Sequence, residues 1–256
     1  MPGIRLRKPN RITSLITRLG SGLSRRVRNR IAVARGTDWR TGCPITKDLK
    51  TIRVGTKYGG WVIPQNVLGE KSVCYSVGVG EDISFDIDLI DRFGCSVFAY
   101  DPTPRSIDFI RQNYSEQTRL HFFPIGLWNE NSVLRFYAPA NSDHVSHSIV
   151  NLQKTEEYFE ADCRRLSYIM KENGHKGLDL LKLDIEGAEY KVIESLLEDQ
   201  LDVRVICVEY DEAHTPLDDG YLARMTGSIE SLLESGYSLV AVDGCNYTFR
   251  RDSVTA

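Results

Sequence analysis

Residues 1–37 contain not one acidic side chain, yet ten of the 32 lysines and arginines lie there. The remaining 22 stand against all 35 acidic residues, so the body of the chain is acidic although the net charge is only −3. Such a body lacks the clustered positive charge that phosphate-backbone binding requires, and no nucleic-acid partner is expected. Six cysteines, at positions 43, 74, 95, 163, 207 and 245, form no CxxC. Cys74, Cys95 and Cys207 sit in or beside apolar runs, where a free thiol behaves as a small hydrophobe. All six are expected to be unpaired, as in a reducing compartment. No apolar run reaches the roughly 18 residues of a membrane span. A cytoplasmic protein, membrane-peripheral at most, is the expectation.

What is present begins with a basic leader. Ile12, Leu15, Ile16, Leu19, Leu23, Val27 and Ile31 recur at spacings of three and four, one apolar stripe of a helix with arginines on its other faces. Gly20 and Gly22 weaken its middle. Three readings stand: a solvated or disordered tail, a peripheral helix on an anionic membrane surface, and an Arg-rich organelle-targeting presequence. The interspersed arginines argue against a secretory signal. The expected organisation is a leader of residues 1–36 followed by one domain, 37–256, large enough to bury its own core.

From about residue 72 the pattern alternates. Strands are expected at 72–77, 95–100, 120–125, 178–183 and 203–210, with helices at 83–93, 104–114, 188–197 and 221–233. An extra strand is expected at 133–137. The chain closes with a hairpin, 237–242 and 247–251, around Asp243-Gly244-Cys245-Asn246. Alternation implies a parallel, doubly wound α/β sheet, and the short final turn implies an antiparallel closing pair.

The stretch YSVGVGEDISF, residues 75–85, opens like a nucleotide-binding glycine loop with Gly78 and Gly80, but Asp82 stands where a third glycine is usual. Two glycines also suit an ordinary strand-to-helix turn. Asp101 ends the second strand, where a carboxylate accepts hydrogen bonds from both ribose hydroxyls of an adenosine ligand. Capping of the helix from Pro104 is the alternative. Glu81 and Asp82 would repel a pyrophosphate at the helix start. A sulfonium donor with a zwitterionic tail tolerates them.

Gly126, after the third strand, allows close approach to an adenine or serves only core packing. His144 and His147 lie in a polar connection, 141–151, with the character of a lid on the substrate side. LLKLDIEGAEY, residues 180–190, puts Asp184, Glu186 and Glu189 at the mouth of the sheet. Such acids suit a cation, a proton donor or a sulfonium. Asp184 or Glu186 would orient an acceptor hydroxyl or take its proton. Glu189 alternatively favours the first turn of its own helix. Glu209 ends the next strand, and His214 follows as a candidate base. A divalent ion on Asp184 and Glu209 is an alternative, but no resident metal is expected.

Together YGGWVIP at 58–64, YSVGVGEDISFD at 75–86, FAYDPTP at 98–104 and LLKLDIEGAEY at 180–190 resemble the FkbM-type family of S-adenosylmethionine-dependent methyltransferases. VEYDE and NYTFRR fit as well, and the likeness spans about residues 50–252. It implies a class I methyltransferase fold with a Rossmann-like sheet, S-adenosylmethionine as cofactor, and O-methylation of a small-molecule or glycan acceptor. Carried over, Gly78 and Gly80 lie against the donor, Asp101 at its ribose and Asp184 near the transferred methyl. Many members carry Asp at Ser76 and Gly at Asp82, so the amino acid tail is held differently here, with Ser76, Glu81 and Asp82 as candidates. A non-catalytic protein on the same fold, tethered by its leader, is the competing reading. An NAD oxidoreductase is a third.

Overall fold

The computed structural model describes residues 30–32, 34–47, 49–140 and 147–252. The leader stripe up to Val27 and His144 of the polar connection lie outside the described residues. Two compact units divide between Ile45 and Thr46. In the first, residues 30–32 and 34–35 are helical. Asp38 Oδ2 there accepts hydrogen bonds from the backbone N–H of Thr41 at 2.9 Å and from its hydroxyl at 2.7 Å.

The second unit opens with an antiparallel hairpin of β1 (Thr51–Val54) and β2 (Trp61–Pro64), which the sequence pattern did not announce. β3 (Val73–Val77), α1 (Ser84–Phe93), β4 (Ser96–Tyr100), α2 (Pro104–Asn113) and β5 (Leu120–Phe123) then alternate as expected. β6 (Gly126–Leu127), β7 (Ser132–Tyr137) and β8 (Tyr158–Arg164) form a separate sheet in the order β6-β8-β7. Next come α3 (Leu166–Glu172), β9 (Gly177–Leu183), α4 (Glu189–Glu198), β10 (Asp202–Glu209), α5 (Tyr221–Glu234), β11 (Tyr237–Asp243) and β12 (Asn246–Arg251).

Seven strands make the main sheet in the order β11-β12-β10-β9-β3-β4-β5. β10, β9, β3, β4 and β5 are mutually parallel, while β12 runs against both β10 and β11. The expected hairpin therefore reverses one strand only, as in the class I methyltransferase fold. The central strands are apolar because both faces are covered. Leu180, Leu181 and Leu183 of β9 and Val203, Val205, Ile206, Cys207 and Val208 of β10 are fully or almost fully buried. α1 buries Phe85, Leu89 and Ile90 along one stripe and ends at Gly94, whose left-handed backbone donates its N–H to Ile90 O. All six cysteines are buried and none is in a disulfide. No helix among the described residues is long and apolar enough to cross a membrane.

The chain's order along the sheet reverses between β3 and β9, and the carboxyl ends of these strands open the crevice where doubly wound sheets bind ligands. They meet there without clearance. Gly78 has φ +75°, and a Cβ on it would stand 1.7 Å from Asp184 O. Gly80 has φ +56°, but its Cβ would meet nothing within 4 Å. The two glycines should therefore respond differently to Ala. Gly80→Ala is expected to cost about 1–2 kcal/mol, from backbone strain alone. Gly78→Ala should cost clearly more, about 4 kcal/mol or above, because backbone must move. Urea denaturation measures both, and equal losses would contradict the contact.

Candidate active site

A cavity of about 660 Å³ lies at the carboxyl ends of β3, β4, β9 and β10. That is within the usual range for a small-molecule site. Gly78, Gly80, Glu81, Asp82, Asp101, Gly126, Asp184, Glu186, Glu209 and His214 all line it. The strand order sets Glu209, Asp184, Gly78 and Asp101 in sequence along its floor. Three strand spacings separate the outer two, about 14 Å. Seven lining residues are acidic, and two, Lys57 and Lys182, are lysines. This wall disfavours a phosphate and suits a ligand with positive charge.

Ser76 is the exception among the predicted site residues. It is fully buried in β3 and does not reach the cavity. Its hydroxyl faces Asp86 on α1. Burial raises the Asp86 carboxyl, while Lys182 and the Ser76 hydroxyl oppose that rise.

At the glycine loop each acid has a structural partner. Asp101 Oδ2 accepts from the backbone N–H groups of Val79 at 3.1 Å and Gly80 at 2.9 Å. Its Oδ1 accepts from Thr103 N–H at 2.8 Å, at the start of α2. The same side chain thus closes the turn that leads into α2 and holds the loop. Glu81 pairs with Arg105 of α2, Oε2 to Nη2 at 2.7 Å. Asp82 Oδ1 accepts from Ser84 N–H at 2.9 Å, closing the first turn of α1. The repulsion expected of these two acids is therefore reduced by one arginine and one amide. Gly126 lines the cavity, but packing explains its glycine. A Cβ there would stand 2.8 Å from both Cys163 Sγ and Phe136 Cζ.

The opposite end is more strongly charged. Lys182, buried near the end of β9, donates to Gly78 O at 2.6 Å and pairs with Asp184 Oδ2 at 3.1 Å. Burial opposes its charge, yet Asp184 and Asp86 hold its ammonium above the ordinary lysine range. Sequence reasoning missed it, although a lysine inside the apolar run LLKL was the available signal. Glu186 adopts a left-handed backbone, φ 54°, steadied by Ser148 Oγ donating to Glu186 O at 2.6 Å. Such strain in a non-glycine residue gathers at functional sites. Glu189 is wholly buried, and its Oε1 accepts from Ile185 and Gly187 N–H, each at 3.1 Å. It braces the DIEGAE turn instead of facing the cavity.

Glu209 and Asp211 complete this acidic end. Burial, then the neighbouring charge of Asp184, pushes the Glu209 carboxyl up to about 8. Burial pushes Glu189 up to about 7. Asp211 is raised well above the ordinary carboxyl range, by burial first and Glu189 next. Glu212 behaves differently. Burial works to raise it, but bonds from Arg224 and Leu217 N–H keep it below its usual range. His214 is exposed at the rim. His147, from the described end of the polar connection, also lines the cavity and packs edge-on against Phe159 at 5.1 Å between ring centroids.

A carboxyl raised on folding holds its proton in the native state after the unfolded chain has released it. Its contribution is intact below the unfolded value near 4.5 and is lost as pH rises toward the folded value of about 8. Glu209→Gln removes this loss. In chelator-treated buffer, the melting temperature of Glu209→Gln relative to wild type should climb steadily from pH 5 to pH 8. A difference independent of pH would contradict the assignment.

Residues 63–239 match the methyltransferase FkbM domain, more than half of the chain. The human probable methyltransferase-like protein 24 is 29% identical over 168 residues, 65% of this chain and 38% of that protein. The 2-O-methyltransferase NoeI of Sinorhizobium fredii is 28% identical over 131 residues, 45% of this chain and 54% of that protein. The chain thus spans about half or less of the curated relatives it matches. Among solved structures, methyltransferase FkbM from Methylobacillus flagellatus aligns at TM-score 0.46 and 12% identity, over 72% of this chain and 44% of that one. Aeropyrum pernix fibrillarin with bound S-adenosyl-L-methionine aligns at TM-score 0.42 and 9% identity, over 82% and 85%. With its reversed strand β12, its crevice between β3 and β9 and this domain match, the chain belongs to the FkbM family of methyltransferases, whose cofactor is S-adenosylmethionine.

Proposed function

We propose that the chain methylates a hydroxyl oxygen on a small-molecule or glycan acceptor. The acidic lining of the cavity carries this reading, because it fits a cationic nucleoside better than a phosphate-bearing one. The Gly80 position supports it further, since the backbone there faces open space that a ligand can approach. S-adenosylmethionine, when bound, supplies a methyl group on a sulfonium. The name of NoeI, a 2-O-methyltransferase, favours oxygen over nitrogen as the acceptor atom.

The roles assigned to the chain's own residues follow from their partners. Asp101 meets the ribose, but with limited capacity. Three of its roughly four lone-pair positions already receive backbone N–H groups, so one remains for a hydroxyl instead of a bidentate pair. Asp184, held by Lys182, orients the acceptor hydroxyl, and Glu186 borders the same space. Glu209 and His214 are the candidate bases. Glu209 holds a proton near neutral pH until a nearby positive charge lowers its affinity for it. The leader of residues 1–36, on this reading, serves attachment to an anionic surface and takes no part in the chemistry.

Calorimetry with S-adenosylmethionine is the direct test, and no binding at millimolar donor would defeat the proposal. Asp101→Ala should weaken donor binding by about 2–3 kcal/mol, combining the lost ribose contact with a loosened loop. Asp184→Asn should reduce turnover much more than donor affinity. Equal loss of both would place Asp184 in donor binding only.

A further inference from the structure

Asp184, Glu186, Glu189, Glu209 and Asp211 crowd the ends of β9 and β10, and among the described residues the ammonium of Lys182 pairs directly with Asp184. Oxygens of Asp184, Glu209 and Asp211 lie within 4.8 Å of one another. Asp211 is only 9% exposed, and its Oδ2 has no hydrogen-bond partner. A buried carboxylate oxygen in that state requires a proton or a cation. Lys182 engages Asp184 through Oδ2, which leaves Oδ1 free to turn elsewhere.

We propose that Asp184, Glu209 and Asp211 bind one hard divalent cation of the Mg²⁺ or Mn²⁺ class, contrary to the expectation from sequence. An all-oxygen, anionic donor set selects such ions over softer ones. At metal–oxygen distances of about 2.1–2.5 Å, ligands on one ion stand about 3–5 Å apart, which the cluster satisfies. Two of the ligands, Asp184 and Glu209, belong to the cavity wall, while Asp211 is buried. The coordination sphere is therefore closed on the protein side and open toward the cavity. Water or an acceptor oxygen fills the open positions, and an alcohol placed there loses its proton more readily. This catalytic use rests on the methyl-transfer reading, whereas the binding of the ion does not.

The rival occupant is a proton shared between Asp211 and Glu189, whose Oε2 is also buried and without a partner. The full chain, freed of metal by a chelator, is titrated with Mn²⁺ while free ion is followed by electron paramagnetic resonance. One ion per chain is expected at micromolar concentration, with a rise in melting temperature. Asp211→Asn and Glu209→Gln should each weaken binding at least tenfold, with folding checked by circular dichroism. Should Asp211→Asn fail to fold, Glu209→Gln, on the cavity wall, carries the comparison. No Mn²⁺ bound by wild type at about 1 mM would overturn the site and leave the shared proton. So would unchanged affinity in the folded variants. Calorimetry with S-adenosylhomocysteine on the same samples keeps the two readings apart. S-adenosylhomocysteine binding by a chain that takes up no Mn²⁺ defeats the metal site alone, and Mn²⁺ uptake without S-adenosylhomocysteine binding defeats the donor assignment alone.

Discussion

The carbonyl oxygen of Asp184 occupies the space where a side chain on residue 78 would stand. Only glycine permits that approach, and the left-handed backbone of Gly78 follows from the same constraint. Lys182 fastens both sides by donating to Gly78 O and pairing with the Asp184 carboxylate. The ends of β3 and β9 are thereby locked in register, and the turns that leave them start from fixed points. One turn carries the glycine loop toward Asp101. The other carries Asp184 and Glu186 toward Glu209. A lysine in a central strand is costly to bury unless its charge is met. Here a carbonyl and two carboxylates meet it, so the group that closes the core also organises the floor of the cavity.

Charge is divided unevenly along that floor. At the loop end, Glu81 faces Arg105, Asp82 accepts from the N–H of Ser84, and Asp101 is engaged with three backbone N–H groups. Each of these carboxylates is matched by a partner within the protein. At the β10 end, burial raises Glu189, while burial and the charges of neighbouring carboxylates together raise Glu209 and Asp211. A neutral ligand gains little from such an arrangement. A ligand bringing positive charge relieves it, which links the electrostatics of the fold to the cofactor of the family.

The parallel core was legible because central strands buried on both faces are continuous in apolar character and each ends at a turn signal. β9 and β10 therefore fell within a residue of their expected bounds. β8 was not legible. Its sequence YFEADCR has one fully buried side chain, Cys163, and its outer residues read as a polar loop. The β1–β2 hairpin escaped for a related reason, since TIRV is short and mostly half-buried. At the site, strand ends could be placed, so Asp101, Asp184 and Glu209 were expected where they stand, on the cavity lining. The function of a carboxylate depends on what its oxygens already hold, which spacing does not encode. Asp101 proved to be a loop brace as well, Glu189 to be buried, and Ser76 to point away from the cavity.

The domain match begins at residue 63 and ends at residue 239, but the cavity does not respect those limits. Lys57, Tyr58, Gly59 and Gly60 line it from the turn between β1 and β2, and Asp243 to Asn246 line it from the turn between β11 and β12. The two turns belong to one wall. Arg53 of β1 pairs with Asp243, and Thr248 of β12 donates to Val62 O of β2 at 2.7 Å. This wall also reaches the glycine loop, since a Cβ on Gly59 would stand 2.6 Å from Asp82 Oδ2. The glycine loop, Asp101, Asp184 and Glu209 all fall inside the match, so the shared part of the family accounts for the floor. The facing wall comes from the flanks, and Tyr58, 90% exposed at its tip, presents an aromatic face at the cavity mouth. The cavity is thus built from segments inside and outside the domain match, and they come together where Gly59 stands against Asp82.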